Sequence, residues 1–307
     1  MTHYLRELPA FFRRVAKIHA LEHLKVVIAH EDGGMLEAED EKEGVQHSAS
    51  SLAIEGRWSE LFPAINLCTP PLAANQSQTL CLYYYLLDLP HTQMGVAQLL
   101  DLPARIIPPD HLETLKIKLL DDLNPYLFHL GQELVLMVDA FRPLLRYRRM
   151  VTLHLDLPCN ILLDIEFLNA LAGVMEGTLR HLVVLRAKSH WDGKHTSPVL
   201  TVDDLPTIAG VILPRLETLG LDVTWDEEPP SVKRHSLVVS SLLRTLHVGT
   251  RHPSSRNYGQ VAKFLKRHFP GLQYLYFMSM NDGSTPWIRV KDANRYSGGW
   301  HKEVEWW

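Results

Sequence analysis

The chain has few cysteines, no long apolar run, no excess of positive charge and no glycine-rich loop, and each lack excludes a class of protein. Its three cysteines, Cys68, Cys81 and Cys159, are odd in number and share no paired spacing. They speak against a disulfide framework or a zinc site and read as reduced thiols of an intracellular protein, cytoplasmic or nuclear. No uncharged stretch approaches the ~18 apolar residues of a membrane span. The opening MTHYLRELPAFFRRVAKIHA has no signal-peptide core, so no membrane partner is expected. With 31 Lys and Arg against 35 Asp and Glu, a net charge of −4 gives no electrostatic footprint for nucleic acid.

Catalytic patterns are also scarce. There is no phosphate-binding glycine loop, no GxSxG elbow and no dinucleotide fingerprint. The acidic pairs Asp121-Asp122, Asp203-Asp204 and Glu227-Glu228 are sequence neighbours, which do not face each other on a helix or strand. Among 17 histidines, His181, His190 and His195 cluster in sequence, as do His235, His247 and His252. Neither group has the HExxH spacing or the cysteine pairs that set metal ligands on one face. Cys159, after Pro158, reads as a small apolar residue. The expectation is a non-enzymatic protein with no catalytic residue, no cofactor and no metal.

What is present is a repeat. One hexad (leucine, two residues, leucine, one residue, an apolar residue) returns six times in the last two-thirds of the chain. The copies are Leu112/Leu115/Ile117, Met150/Leu153/Leu155, Leu179/Leu182/Val184, Leu216/Leu219/Leu221, Leu243/Leu246/Val248 and Leu272/Leu275/Phe277, at intervals of 27 to 38 residues. Leu21/Leu24/Val26 makes a seventh near the start. Roughly two or three would arise by chance in a leucine-rich chain. Strand side chains alternate faces, so positions 4 and 6 of the hexad point inward together. Position 1 turns inward just before the strand, and stacked neighbours share one core that no single repeat could close. The pattern resembles the strand segment of a leucine-rich repeat. It predicts an α/β leucine-rich-repeat solenoid, a curved parallel sheet on one side and helices on the other, with repeats of irregular length.

The solenoid is expected over 1–280, clearest over 112–280. An acidic loop occupies 31–44, and a tryptophan-rich capping hairpin 281–307, its strands at Trp287–Val290 and Trp300–Trp306. Helical spacing marks 7–20, 91–100, 164–175, 201–212 and 261–268. The stretch 45–111 is hard to divide. Phe62-Pro63 with Ile65 and Leu67 suggests a degenerate strand, and 80–87 reads as either a buried strand or a helix start. Polar insertions at 187–199 and 223–235 account for the uneven period. No asparagine ladder follows the hexads, so irregular turns are expected.

The phrases Leu213-Pro214-Arg215-Leu216-Glu217-Thr218-Leu219-Gly220-Leu221 and Phe269-Pro270-Gly271-Leu272-Gln273-Tyr274-Leu275-Tyr276-Phe277 share the form apolar-Pro-x-Leu-x-x-Leu-x-apolar. Over about 100–307 this resembles the repeat half of fungal, basidiomycete-type F-box proteins. The resemblance implies a substrate receptor of a cullin–RING ubiquitin ligase: the repeats hold a protein substrate, and an F-box docks the ligase adaptor. The F-box is where this chain departs from the family. Leu8-Pro9 with Phe11, Phe12 and Val15 faintly echoes its opening, but Leu21 to Ile28 already reads as a repeat strand. An adaptor is therefore a partner only if an F-box lies upstream.

The expected binding surface is the open face of the sheet, where the residues flanking the inward positions point. It comprises Lys116 and Lys118, His154 and Asp156, His181, Val183 and Leu185, Asp222, His247, and Tyr274 and Tyr276. The apolar third repeat marks either the centre of a binding patch or a strip covered by a loop. Two other classes fit less of the pattern. One is a repeat scaffold or sensor fragment outside ubiquitin transfer. The other is an α/β enzyme, which would show helices on both faces of an open sheet and a cleft at the strand ends. Strand order along the sheet separates these architectures.

Overall fold

The computed structural model describes residues 2–3, 22–28, 50–57, 61, 78–85, 97–101, 103, 107–119, 135–157, 159–175, 177–186, 199–224, 238–251, 258–278, 287–291 and 302–303. The chain is mixed α/β, with nine strands of four or more residues in parallel ladders and few helices among the described residues. In chain order the strands are β1 (Thr2–His3), β2 (His23–Ile28), β3 (Ser51–Arg57), β4 (Thr79–Tyr85), β5 (Thr114–Leu119), β6 (Val135–Met137) and β7 (Thr152–Leu157). They continue as β8 (Asn160–Leu162), β9 (His181–Arg186), β10 (Thr218–Leu221), β11 (Thr245–Arg251), β12 (Tyr274–Met278), β13 (Trp287–Lys291) and β14 (Lys302–Glu303). Two α-helices have extended bounds, α1 (Ile165–Val174) and α2 (Tyr258–His268).

The chain divides into two compact units. The first, Met1–Leu134 with Asp139–Leu155, holds the ladder β1-β2-β3-β4-β5-β7, parallel throughout. The second, Val135–Val138 with Asp156–Trp307, holds β9-β10-β11-β12 in parallel, followed by β13 and β14 antiparallel. It also holds a separate parallel pair, β6 with β8. Within each ladder strand order follows sequence order. A doubly wound sheet, whose order reverses at a switch point, does not read this way.

The hexad sets the register. In the first unit Leu24, Leu52, Leu80, Leu115 and Leu153 are successive partners across the strands, and Val26, Ile54, Leu82, Ile117 and Leu155 form the row two residues on. In the second, Leu182, Leu219, Leu246 and Leu275 make the first row, and Val184, Leu221 and Val248 continue the second. All are buried, as are the position-1 residues Leu112, Met150, Leu179, Leu216, Leu243 and Leu272. Each enclosed side chain contributes about 1.5–3 kcal/mol of transfer free energy, so these rows are the main cohesive term of each unit. A one-residue slip would turn every one of them outward, which pins the pairing.

A backbone device repeats in phase with the leucines. The carbonyl at hexad position 2 accepts two N–H bonds from positions 2 and 3 of the next repeat. Ser50 takes Gln78 and Thr79, Gln78 takes Glu113 and Thr114, and Glu113 takes Val151 and Thr152, all at 2.7–3.1 Å. In the second unit Arg180 takes Glu217 and Thr218, Glu217 takes Arg244 and Thr245, and Arg244 takes Gln273 and Tyr274, at 2.8–3.1 Å. At Glu22 the two donors are the Ser51 N–H and the Ser50 hydroxyl, at 3.0 and 2.9 Å. The same joint thus recurs beneath different side chains.

The connecting segments vary. Helix α1 starts at Asp164, whose Oδ1 accepts from the Phe167 N–H at 2.7 Å, and it buries Phe167, Leu168 and Leu171. The expected helical stretch at 201–212 is helical over 202–212, as a 3-10 turn, an α turn and a π turn in succession. It opens on a reciprocal cap in which the Thr201 N–H and hydroxyl both donate to Asp204 Oδ2, at 2.8 and 2.9 Å. Within it Gly210 leaves no room for a Cβ, which would stand 2.4 Å from Val238 Cγ1. Residues Val138–Arg146 form a 3-10 helix with Pro143 inside, burying Ala140, Phe141 and Leu144. A proline there removes the N–H that an α-helix would need.

Other differences from the sequence expectation lie in 45–111. Strand β3 was not anticipated, and 79–85 is a strand, not a helix start. Residues 97–101 are helical, within the expected 91–100 segment and one residue past it. The expected helix at 7–20, the acidic loop at 31–44, the strand near Ile65, and most of the insertions at 187–199 and 223–235 lie outside the described residues. In the terminal segment β13 pairs with β12, and β14 pairs with β13. Residues 300, 301 and 304–306 of the second expected strand lie outside the described residues.

Candidate interaction surface

Alternation along each strand puts hexad positions 3, 5 and 7 on the face opposite the leucines. In the first unit row 3 reads His23, Ser51, Thr79, Thr114, Thr152, and row 5 reads Lys25, Ala53, Cys81, Lys116, His154. Row 7 begins Val27, Glu55, Tyr83, Lys118. Among these side chains His23 and Lys25 are exposed, Cys81 is buried and the others are half-buried.

Charge on this face is arranged unevenly. Lys25 Nζ lies 2.8 Å from Glu55 Oε2 and 5.7 Å from the centre of the Tyr83 ring, which occupies its ammonium twice over. Lys116 and Lys118 stand two residues apart on β5, opposite Cys81 and Tyr83 on β4. Among the described residues neither lysine forms an ion pair. Burial pushes the Cys81 thiol above its ordinary range, while the fields of Lys116 and Lys118 and a hydrogen bond with Tyr83 pull it back. Burial likewise raises the Tyr83 phenol, helped by Cys81 and Glu55. A thiol held protonated is a poor nucleophile.

The second unit presents a different face. Val183 and Leu185, on the face opposite Leu182 and Val184, are only 4% and 2% exposed, so β9 is buried on both sides. Tyr276 is buried as well, its ring stacked on His247 at 4.5 Å between centres and 10° between planes. Gly220 permits this packing, since a Cβ there would lie 2.9 Å from Val183 Cγ1 and 3.2 Å from His247 Cβ. His181 Nδ1 and Thr218 Oγ1 are 3.0 Å apart across β9 and β10. His154, Asp156, His181, Asp222, His247 and Tyr274 are half-buried. His190, His195, His235 and His252 lie outside the described residues.

No family model, curated protein or solved structure matches this chain at a significant level. Among the described residues there is no cluster of three His, Cys, Asp or Glu side chains placed to hold a metal ion, and no helix is long and apolar enough to cross a membrane. The face of β3 and β4 was missed in sequence because position 1 of their hexads is Ala49 and Ser77, not leucine. Phasing on positions 4 and 6 alone would have found Leu52/Ile54 and Leu80/Leu82, and with them Glu55, Cys81 and Tyr83.

Proposed function

We propose that the chain is a leucine-rich-repeat solenoid acting as a non-enzymatic protein–protein interaction module, and specifically the substrate-holding part of an F-box-like ubiquitin-ligase receptor. The observation that carries the module reading is the in-phase register: leucine rows on one face, a recurring carbonyl joint, and a row of polar side chains on the other face. Stacked repeats of this kind offer a wide, shallow surface suited to a protein partner. The ubiquitin assignment rests on the two Pro-x-Leu-x-x-Leu phrases and their resemblance to fungal F-box receptors. Cys81 and Cys159 are buried and in no disulfide, which favours an intracellular address, cytoplasmic or nuclear.

The test is a pulldown of the endogenous product with a sequenced full-length transcript. An upstream F-box and co-purifying ligase adaptor are expected. A transcript encoding no F-box, with no adaptor recovered, removes the ligase role and leaves a repeat scaffold.

A further inference from the structure

We infer that the outward face of the first unit takes an extended, carboxylate-rich segment of a partner protein, seated on Lys116 and Lys118. This deepens the interaction-module reading and rests on it. Charge complementarity is the main argument. Rows 3 and 5 of this face contain no carboxylate across five strands, in a chain whose acids outnumber its bases by 35 to 31. Row 7 along these strands holds two acids: Glu55, neutralised by Lys25 at 2.8 Å, and Asp156 on β7, two residues after His154. Of the three lysines on this face, Lys116 and Lys118 are the two that form no ion pair among the described residues, so positive charge exceeds negative even with Asp156 counted.

Geometry narrows the ligand further. The two lysines are i and i+2 on one strand, so their side chains leave the same face about 7 Å apart. That is also the spacing of alternate side chains in another extended chain. A segment carrying Asp or Glu at every second position meets both ammoniums at once, whereas a small single anion meets one. Thr114 and His154 flank Lys116 with hydrogen-bonding groups, and Tyr83 sets an aromatic ring beside Lys118. Two free cations are too few for a nucleic-acid backbone, whose affinity grows with the number of phosphates neutralised. The second unit does not offer this chemistry, because Val183, Leu185, Gly220 and Tyr276 are buried there.

The experiment is fluorescence anisotropy on the full chain with three labelled eight-residue peptides: alternating Glu–Ser, alternating Lys–Ser, and alternating Gly–Ser with one central phosphoserine. The Glu–Ser peptide is expected to bind, to weaken as salt rises, and to lose about tenfold or more in affinity in Lys116→Glu/Lys118→Glu, because two attractions become repulsions. Arg142→Glu, a charge reversal at an exposed site in the 3-10 helix, is expected to change affinity less than about twofold. Circular dichroism checks that each variant folds, and Lys116→Gln/Lys118→Gln provides an intermediate loss should the reversal unfold the chain. Equal binding of the Lys–Ser peptide, selective binding of the phosphoserine peptide, or equal losses in the Arg142 and lysine variants overturns the proposal. A chain that captures its partner equally well with and without Lys116→Glu/Lys118→Glu overturns this inference while leaving the module reading intact.

Discussion

Truncating one leucine of the second-unit ladder tests the packing argument directly. Leu219 is fully enclosed and stands in register with Leu182 on β9 and Leu246 on β11, both also enclosed. Leu219→Ala forfeits about 2 kcal/mol of transfer free energy at roughly 0.8 kcal/mol per buried methylene. A cavity cost adds to this. The flanking leucines hang from strands held about 4.8 Å apart by backbone bonds, so they move little into the space. The total therefore falls in the upper part of the leucine range, about 3–5 kcal/mol. Leu242 supplies the control, being 43% exposed beside the same ladder. Leu242→Ala loses only part of a transfer term and leaves no closed cavity, about 1 kcal/mol. At roughly 2–4 °C per kcal/mol for units of this size, thermal unfolding followed by circular dichroism should drop by about 6–20 °C for Leu219→Ala and less than about 4 °C for Leu242→Ala. Equal shifts, or the larger one for Leu242→Ala, would refute the claim that the hexad leucines hold this unit together.

Further outcomes are expected elsewhere. Asp164→Ala removes the acceptor for the Phe167 N–H and should cost about 1 kcal/mol in urea unfolding, with Asp164→Asn close to wild type; equal losses would show the cap is not the cause. Gly271→Ala places a Cβ 2.6 Å from the Ser241 carbonyl oxygen, a backbone atom that cannot rotate away, and should destabilise by about 1–3 kcal/mol. Gly173→Ala, in helix α1 with nothing within 4 Å of the new Cβ, should stabilise by about 0.5–1 kcal/mol, and matching signs for the two glycines would contradict the geometry. The Cys81 thiol binds its proton more tightly in the folded state than in the unfolded one. Its contribution is therefore complete below the ordinary thiol range and declines as pH rises through the alkaline range. Alkylation of Cys81 by iodoacetamide, mapped by mass spectrometry, should show a midpoint above that of a cysteine peptide and higher still in Lys116→Glu/Lys118→Glu; a midpoint at or below the peptide's defeats the account.

The parallel ladder was legible because its information is local. Leu219 and Leu221 sit within one strand and period-2 alternation assigns both to the core, while Leu216 turns inward just before it. Strand β3 was not legible because Ala49 breaks the hexad pattern at the position before the strand. The tight and loose turns of 202–212 escaped for a different reason. Gly210 answers to the approach of Val238, a contact 28 residues away that no window of periodicity contains. The candidate surface divides likewise. Lys116, Lys118 and His154 follow from alternation on recognised hexads. The burial of Val183, Leu185 and Tyr276 depends on what packs over them, which alternation does not encode.

The carbonyl joint between repeats has a consequence for how such a chain can grow and shrink. The residues at that position are Glu22, Ser50, Gln78, Glu113, Arg180, Glu217 and Arg244, with no common charge, size or polarity. At six of these seven positions the carbonyl therefore meets the same pair of main-chain donors from the next repeat, and at Glu22 a serine hydroxyl replaces one of them. Cutting from one hexad to the corresponding residue of the next, or copying that stretch, brings together ends that already fit. Gene-level duplication or loss of a whole repeat then requires no new joint to evolve, and selection is free to act on the outward side chains alone.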